Sequence, residues 1–123
     1  MNVEQLRLDL ERDEGCVYAI YLDHLNLPTF GIGHLVKEAD PEHGQPVATK
    51  VSKDRVMQVF NSDIESVIDD CNRSFNDFEA LPEAVQLVVS NMMFNLGLPK
   101  FSRFKKMIRA MELGDWQSAA DEM

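Results

Sequence analysis

Residues 11–34 read ERDEGCVYAIYLDHLNLPTFGIGH, and how this stretch folds decides the architecture around it. Ahead of it, residues 3–13 carry Val3, Leu6, Leu8 and Leu10 at near-helical spacing, with Glu4, Arg7, Glu11 and Arg12 on the polar side. Gly15 suits a helix stop, so Glu14 falls in the last turn, where the chain changes direction. The period then switches. CVYAIYLD is rich in β-branched and aromatic residues, PTFGIGHLV is similar, and DHLNLP between them favours a turn. Residues 16–36 therefore predict a small hairpin, with Pro28 at an edge or entry position. Gly31 and Gly33 predict a bulge or a close backbone approach in its second strand.

Working outward, residues 37–50 hold two prolines, a glycine and many charges, which predicts a loop with a third short strand near Val47. Ser52 reads as a helix N-cap, with Asp54 complementing the dipole in the first turn. The helix over 53–72 places Val56, Val59, Phe60, Ile64, Val67 and Ile68 at i, i+3, i+4 spacing. DCNRSFNDFEALP interrupts it, and Pro82 opens EAVQLVVSNMMFNLG, an almost wholly apolar helix closed by Gly97. Such a helix is expected at the buried centre, with Met92, Met93, Phe94, Phe101 and Phe104 in the core. Residues 101–112 predict a basic amphipathic helix, Gly114 breaks it, and DWQSAADEM starts another with Ala119 and Ala120 inward. The expected fold class is α+β: one domain over 1–123, with a β-rich lobe at about 14–51. Residues 52–123 and the N-terminal helix make the helical lobe. A long helix joins the lobes, and a cleft between them suits an extended ligand.

Length and composition set the outer limits. A chain of 123 residues is one domain by size, and 45% hydrophobic with 27% charged residues belongs to a globular protein rather than a disordered one. No apolar run approaches the ~20 residues that cross a bilayer, so no stable membrane insertion is expected. The charged start MNVEQLRLDLERDEG lacks a signal-peptide core, which points to synthesis in the cytoplasm. Cys16 and Cys71 show no CxxC spacing and are expected as free thiols. His24, His34 and His43 are not spaced for metal ligation, so neither metal nor cofactor is expected. Twelve basic against 21 acidic residues leave −9, which argues against nucleic acid and gives little attraction to an anionic polymer.

Glu14, Asp23 and Thr29 could carry glycoside hydrolysis. That reaction needs one carboxyl kept protonated for the leaving oxygen and a second group to activate water or attack the sugar. The acid works best where apolar surroundings raise its pKa, and its counterpart in a wetter place. Glu14, followed by GCVYAIY, suits the first role, and Asp23 in the polar LDHLN turn suits the second. A hydroxyl such as that of Thr29 can orient a water. From spacing alone the rival reading stays open: Glu14 capping nearby backbone, Asp23 making a turn, Thr29 serving a strand.

The order of these residues resembles the N-terminal signature of the phage-type lysozymes, the endolysin muramidases of glycoside hydrolase family 24. Glu14-Gly15 matches that family's Glu-Gly at the end of the first helix, and Tyr21-Leu22-Asp23 its Tyr-x-Asp nine residues after the Glu. Thr29-Phe30-Gly31-Ile32-Gly33-His34 matches its Thr-x-Gly-x-Gly-His strand. Downstream, SKDRVMQVFNSDI, SNMMFNLG and GDWQSAADEM are similar to three of its helices, in order. The resemblance implies a lysozyme-like fold and a bacteriolytic enzyme that hydrolyses the β-1,4 bond between N-acetylmuramic acid and N-acetylglucosamine in peptidoglycan. It implies Glu14 as general acid and Asp23 with Thr29 holding the water. Gly31, with Gly33, would let the backbone approach a sugar or else bulge the strand, and Asn95 is a substrate contact weighed against a buried structural amide. His34 is expected to be structural and paired with an acid such as Asp63. The implied setting is a monomer in the host bacterial cytoplasm, reaching the wall through a separate holin-type membrane protein. Two departures stand out: the family's C-terminal helices are expected to be missing after Met123, and the charge is acidic where the family's is commonly basic. Two alternatives remain, a catalytically weak structural or wall-binding module of a phage particle and a lytic transglycosylase.

Overall fold

The computed structural model describes residues 1–123 as an α+β chain with six α-helices and a small three-stranded antiparallel sheet. It divides into two compact units, one of Arg7–Asp63 and one of Met1–Leu6 with Ile64–Met123.

Most of helix α1 (Val3–Glu14) belongs to the unit Arg7–Asp63. Gly15 ends it as expected: its N–H donates to the Glu11 carbonyl at 2.9 Å, and its φ of +70° is a conformation glycine adopts without strain. Strands β1 (Val17–Leu22) and β2 (Pro28–Gly31) then pair antiparallel, with Tyr21 opposite Thr29 and Leu22 opposite Pro28. The second half of the hairpin is not one strand. Gly31 and Gly33 both sit at φ +64° and turn the chain back, so β3 (His34–Leu35) pairs onto β2 with His34 opposite Phe30. The third strand therefore lies at His34–Leu35 rather than near Val47, which is exposed in a turn. The chain just after Val47 does run beside β1: Ile20 donates to the Thr49 carbonyl and accepts from the Ala48 N–H. Left-handed Ala48 (φ 76°) stops a regular strand there, leaving one isolated bridge between Ala19 and Lys50.

Helix α2 (Lys53–Ser74) begins where the sequence predicts, with Ser52 Oγ accepting the Arg55 N–H at 3.1 Å. Its first turns press Val56 so close to Gly31 that a methyl group built there would lie 2.9 Å from Val56 Cγ1. Glycine at 31 is thus required by packing as well as by φ. The charged loop before α2 is held by ion pairs. Arg55 reaches Glu42 at 2.9 and 3.0 Å and Asp40 at 3.4 Å. His34, only 5% exposed, lies between Asp63 at 2.7 Å and Asp40 at 2.8 Å. The expected Asp63 partner is there, and Asp40 adds a second. On α1, Arg7 bonds Asn61 and stacks 4.9 Å from the Phe60 ring.

The unit Ile64–Met123 is built on one apolar cluster of Val67, Cys71, Phe75, Phe78, Val89, Met93, Phe101, Met107, Ala110, Met111 and Ala119. After α2 a short 3-10 turn, Phe78–Ala80, leads into α3 (Glu83–Leu96). Gln86, buried in α3, donates to the carbonyls of Glu79 and Leu81 at 3.0 and 2.8 Å and fastens that turn. The α3 helix is not buried all round: Val88 is 45% exposed, while Met92 and Phe94 lie partly buried against the cluster. Residues 101–112 are not one helix. Gly97 (φ 76°) closes α3, Pro99 lies in the first turn of α4 (Leu98–Phe101), and α5 (Lys105–Glu112) starts afresh after non-helical Phe104 (φ −85°, ψ 50°). The hydrophobic period runs across the junction, which is why the pattern alone joins the two. Helix α6 (Trp116–Asp121) is capped by Asp115 and buries Ala119 but leaves Ala120 exposed, contrary to the inward pair expected. No helix is long and apolar enough to cross a membrane.

Candidate active site

Four of the five expected site residues, Glu14, Asp23, Thr29 and Gly31, lie in the unit Arg7–Asp63, on the end of α1, the hairpin turn and β2. Glu14 is the last residue of α1 and is half-buried. Burial raises its carboxyl pKa above the ordinary value, the Asp13 charge adds to this, and the His24 charge opposes it. A helix C-terminus also disfavours an anion. The carboxyl packs on the turn between β2 and β3. A methyl group built on Gly33 would lie 3.0 Å from Glu14 Oε2, 3.2 Å from Cγ and 3.3 Å from Cδ.

Asp23 has the opposite environment. Its Oδ1 accepts the N–H groups of Leu25 at 2.8 Å and Leu27 at 2.9 Å, while its own N–H donates to the Leu27 carbonyl at 3.0 Å. The Leu27 bond chiefly, with that of Leu25, holds the carboxyl below its usual range, and His24 pulls the same way. The turn so closed is short, and Asn26 takes the left-handed φ of 62° that asparagine tolerates. These bonds occupy one Asp23 oxygen and leave Oδ2 for another donor.

Thr29 is buried, and its hydroxyl donates to the Leu27 carbonyl at 3.0 Å. With its proton so committed, the oxygen offers lone pairs to an incoming donor. Tyr21 lies opposite Thr29 in the sheet. Burial first, then the charges of Glu14 and Asp23, raise its phenol pKa. Tyr21 and His24, which had no assigned role, thus act electrostatically with the expected residues, and Gly33, expected to approach a sugar or bulge the strand, instead meets Glu14. The available signal was the Tyr-x-Asp spacing and the second glycine of Gly-Ile-Gly-His.

The two expected substrate contacts fall differently. Gly31 is buried against Val56, so packing accounts for its missing side chain. Asn95 lies on α3 in the other unit and is exposed, with its amide nitrogen donating to the Asn91 carbonyl at 2.9 Å and to Asn91 Oδ1 at 3.0 Å. It is therefore not the buried structural amide that was its rival reading.

Comparison with known proteins follows the same order of residues. The chain is 28% identical to "Probable T4-type lysozyme 2" of Dictyostelium discoideum over 98% of its own length and 82% of that protein's. It is also 28% identical to the pre-baseplate central spike protein Gp5 of Enterobacteria phage T4, over 89% of this chain but 22% of that longer one. The description of a whole family, Phage lysozyme, matches residues 11–123. The chain belongs to the phage lysozyme family.

Proposed function

We propose that the protein hydrolyses the β-1,4 bond between N-acetylmuramic acid and N-acetylglucosamine in bacterial peptidoglycan. Family membership supports glycoside hydrolase activity on that polymer. The observation that carries the assignment of roles is the divergence of two carboxyls in one unit. Glu14 is pushed toward its protonated form by burial, and Asp23 toward its ionised form by two backbone N–H groups. Pairs driven apart in this way divide acid from base work. Glu14 is then the general acid, donating to the leaving glycosidic oxygen. Asp23, through Oδ2, and Thr29, through its hydroxyl oxygen, accept the protons of the attacking water and aim it at the anomeric carbon. Such an inverting reaction wants the carboxyls about 6.5–9.5 Å apart. Asn95 and the backbone at Gly31 are the proposed contacts to the sugars. In this reading the protein works as a monomeric endolysin that leaves the host cytoplasm through a lesion made by a separate, holin-type protein.

A second reading rests on the likeness to the spike protein, of which this chain spans 22% of the length. Here the fold serves as a wall-binding part of a phage particle with little activity of its own. Turbidity loss of purified peptidoglycan by wild type, Glu14→Gln and Asp23→Asn, with analysis of the sugar ends, separates the readings. Wild type should lyse and both variants should not. Retention without cleavage supports the spike-like reading, and anhydro-sugar ends would reassign the reaction to a lytic transglycosylase.

A further inference from the structure

The geometry points to Gly33 as a positioning residue for Glu14: having no side chain, it leaves on the β2–β3 turn the space in which the acid's carboxyl lies. The inference rests on the catalytic reading of Glu14 given above and adds what holds that side chain in place.

All six glycines have positive φ, so a demand for left-handed backbone does not distinguish them. Their surroundings do. A methyl group built on Gly15, Gly44 or Gly114 would meet nothing within 4 Å, and on Gly97 only Pro99 Cδ at 3.9 Å. At Gly31 it would strike Val56, a stiff branched residue within α2. At Gly33 alone it would meet a titratable side chain, with Glu14 Oε2, Cγ and Cδ at 3.0, 3.2 and 3.3 Å. Three atoms of one carboxylic side chain lie along the bare face of one residue. Glu14 is half-buried, and the turn that carries Gly33 is packed against its side chain.

The neighbour that must yield to an added Cβ decides the outcome. At Gly33 it is the far end of a flexible side chain, so the carboxyl moves and the fold survives. The cost in stability is then that of backbone strain alone, as at Gly44. The cost in function is larger, because a displacement of about 1 Å at a reacting group can lower the rate a hundredfold.

Three substitutions separate these effects. Gly33→Ala adds both strain and a Cβ. Gly33→Asn adds the Cβ on a residue that tolerates left-handed φ. Gly44→Ala adds strain alone, far from Glu14 in sequence and with open space around it. Two quantities are read for each: kcat and KM against pH on a soluble peptidoglycan oligosaccharide, and the NMR titration midpoint of the Glu14 carboxyl. Both Gly33 variants should lose about ten- to a hundredfold in kcat, with KM within about twofold. Their Glu14 midpoint should fall as the carboxyl moves toward water, and Gly44→Ala should change neither quantity. Wild-type kcat and an unmoved midpoint in Gly33→Asn would overturn the inference and leave glycine serving the turn alone. Should Gly33→Ala fail to fold, Gly33→Asn decides. Full activity in Glu14→Gln would instead defeat the catalytic reading, and the midpoint would still report whether Gly33 shapes that carboxyl's surroundings.

Discussion

The two units bury different kinds of group. Ile64–Met123 is filled by Phe75, Phe78, Phe101, Met93 and Met107, and its buried polar residues are the neutral Gln86 and Ser90. Arg7–Asp63 also has apolar residues inside, Leu10, Ile20, Phe30 and Phe60 among them, yet it adds His34 and Glu42 in ion pairs with Asp63, Asp40 and Arg55. The candidate catalytic side chains all stand in this second, charge-braced unit. Apolar packing tolerates no hole but is indifferent to protons, whereas ion pairs hold loops that a small apolar core could not cover and depend on pH. The stretch from Gly31 to Asp40, which carries the wall behind Glu14, is thus fixed by groups that titrate.

If that division is right, the unit Ile64–Met123 should fail most severely when a hole is cut in it. Phe101 is wholly buried and its ring lies 6.2 Å from that of Phe75. Phe101→Ala should cost about 3–5 kcal/mol, the usual loss for a large aromatic truncated in a core. Urea unfolding at pH 5, 6.5 and 8 should give the same loss at each pH. A loss that varies strongly with pH would show that charge also holds this unit.

The charge-braced unit should respond the other way. Burial works against a proton on His34, but hydrogen bonds and charges from Asp63 and Asp40 outweigh it and raise the imidazole's pKa above the ordinary value. The stability it contributes is therefore complete below about pH 6.5, its unfolded pKa, and disappears as pH rises through the folded one. Asp40 and Glu42 are held below their usual range. For Asp40 burial opposes this, and the Lys37 N–H, His34 and Arg55 overcome it; for Glu42 Arg55 dominates. Their contribution is present above about pH 4 and is lost as pH falls through the folded values. Wild type should therefore be most stable between about pH 5 and 6.5. His34→Gln should lose about 1–3 kcal/mol there, and the gap should narrow as pH rises above about 6.5. A wild type equally stable at pH 6 and 8.5 would remove the ion cluster from the account of this fold.

Much of this contrast could be read from the sequence, and its gaps have a physical pattern. Signals that act within a few residues were legible: the stop at Gly15, the cap at Ser52, the hairpin turn and the Glu14, Asp23, Thr29 order. Contacts between distant residues were not. Arg55 meets Glu42 and Asp40 across a loop that reads as solvated, because no local pattern ties a charge to a partner 13 or 15 residues back. Gly33 gave a sign of backbone freedom but not of which atom it was making room for. The β2–β3 reversal was missed for a related reason, since a glycine pair permits a bulge, a close approach or a turn alike. In the helical unit the break before α5 hides under a continuous apolar period, and only the φ and ψ of Phe104 reveal it.

Helix caps give the smallest effect and reverse the comparison. The charge-braced unit caps α2 with the neutral hydroxyl of Ser52, which accepts the Arg55 N–H. The apolar unit caps α6 with a carboxylate, Asp115 Oδ1, which accepts the Ser118 N–H at 3.2 Å and is held below its usual pKa chiefly by hydrogen bonds from Ser118. Ser52→Ala should cost about 1 kcal/mol, nearly constant from pH 4 to 8, because nothing in that bond titrates. The Asp115 cap should be intact above the ordinary carboxylate range and weaken as pH falls through its depressed pKa, so Asp115→Asn should flatten that acid limb without changing stability at neutral pH by much. Amide exchange resolves the two sites: protection at Arg55 should be pH-independent once intrinsic rates are removed, and protection at Ser118 should fall in acid. The reverse result would mean that each unit's pH response is set by its core and not by the bonds at its helix ends.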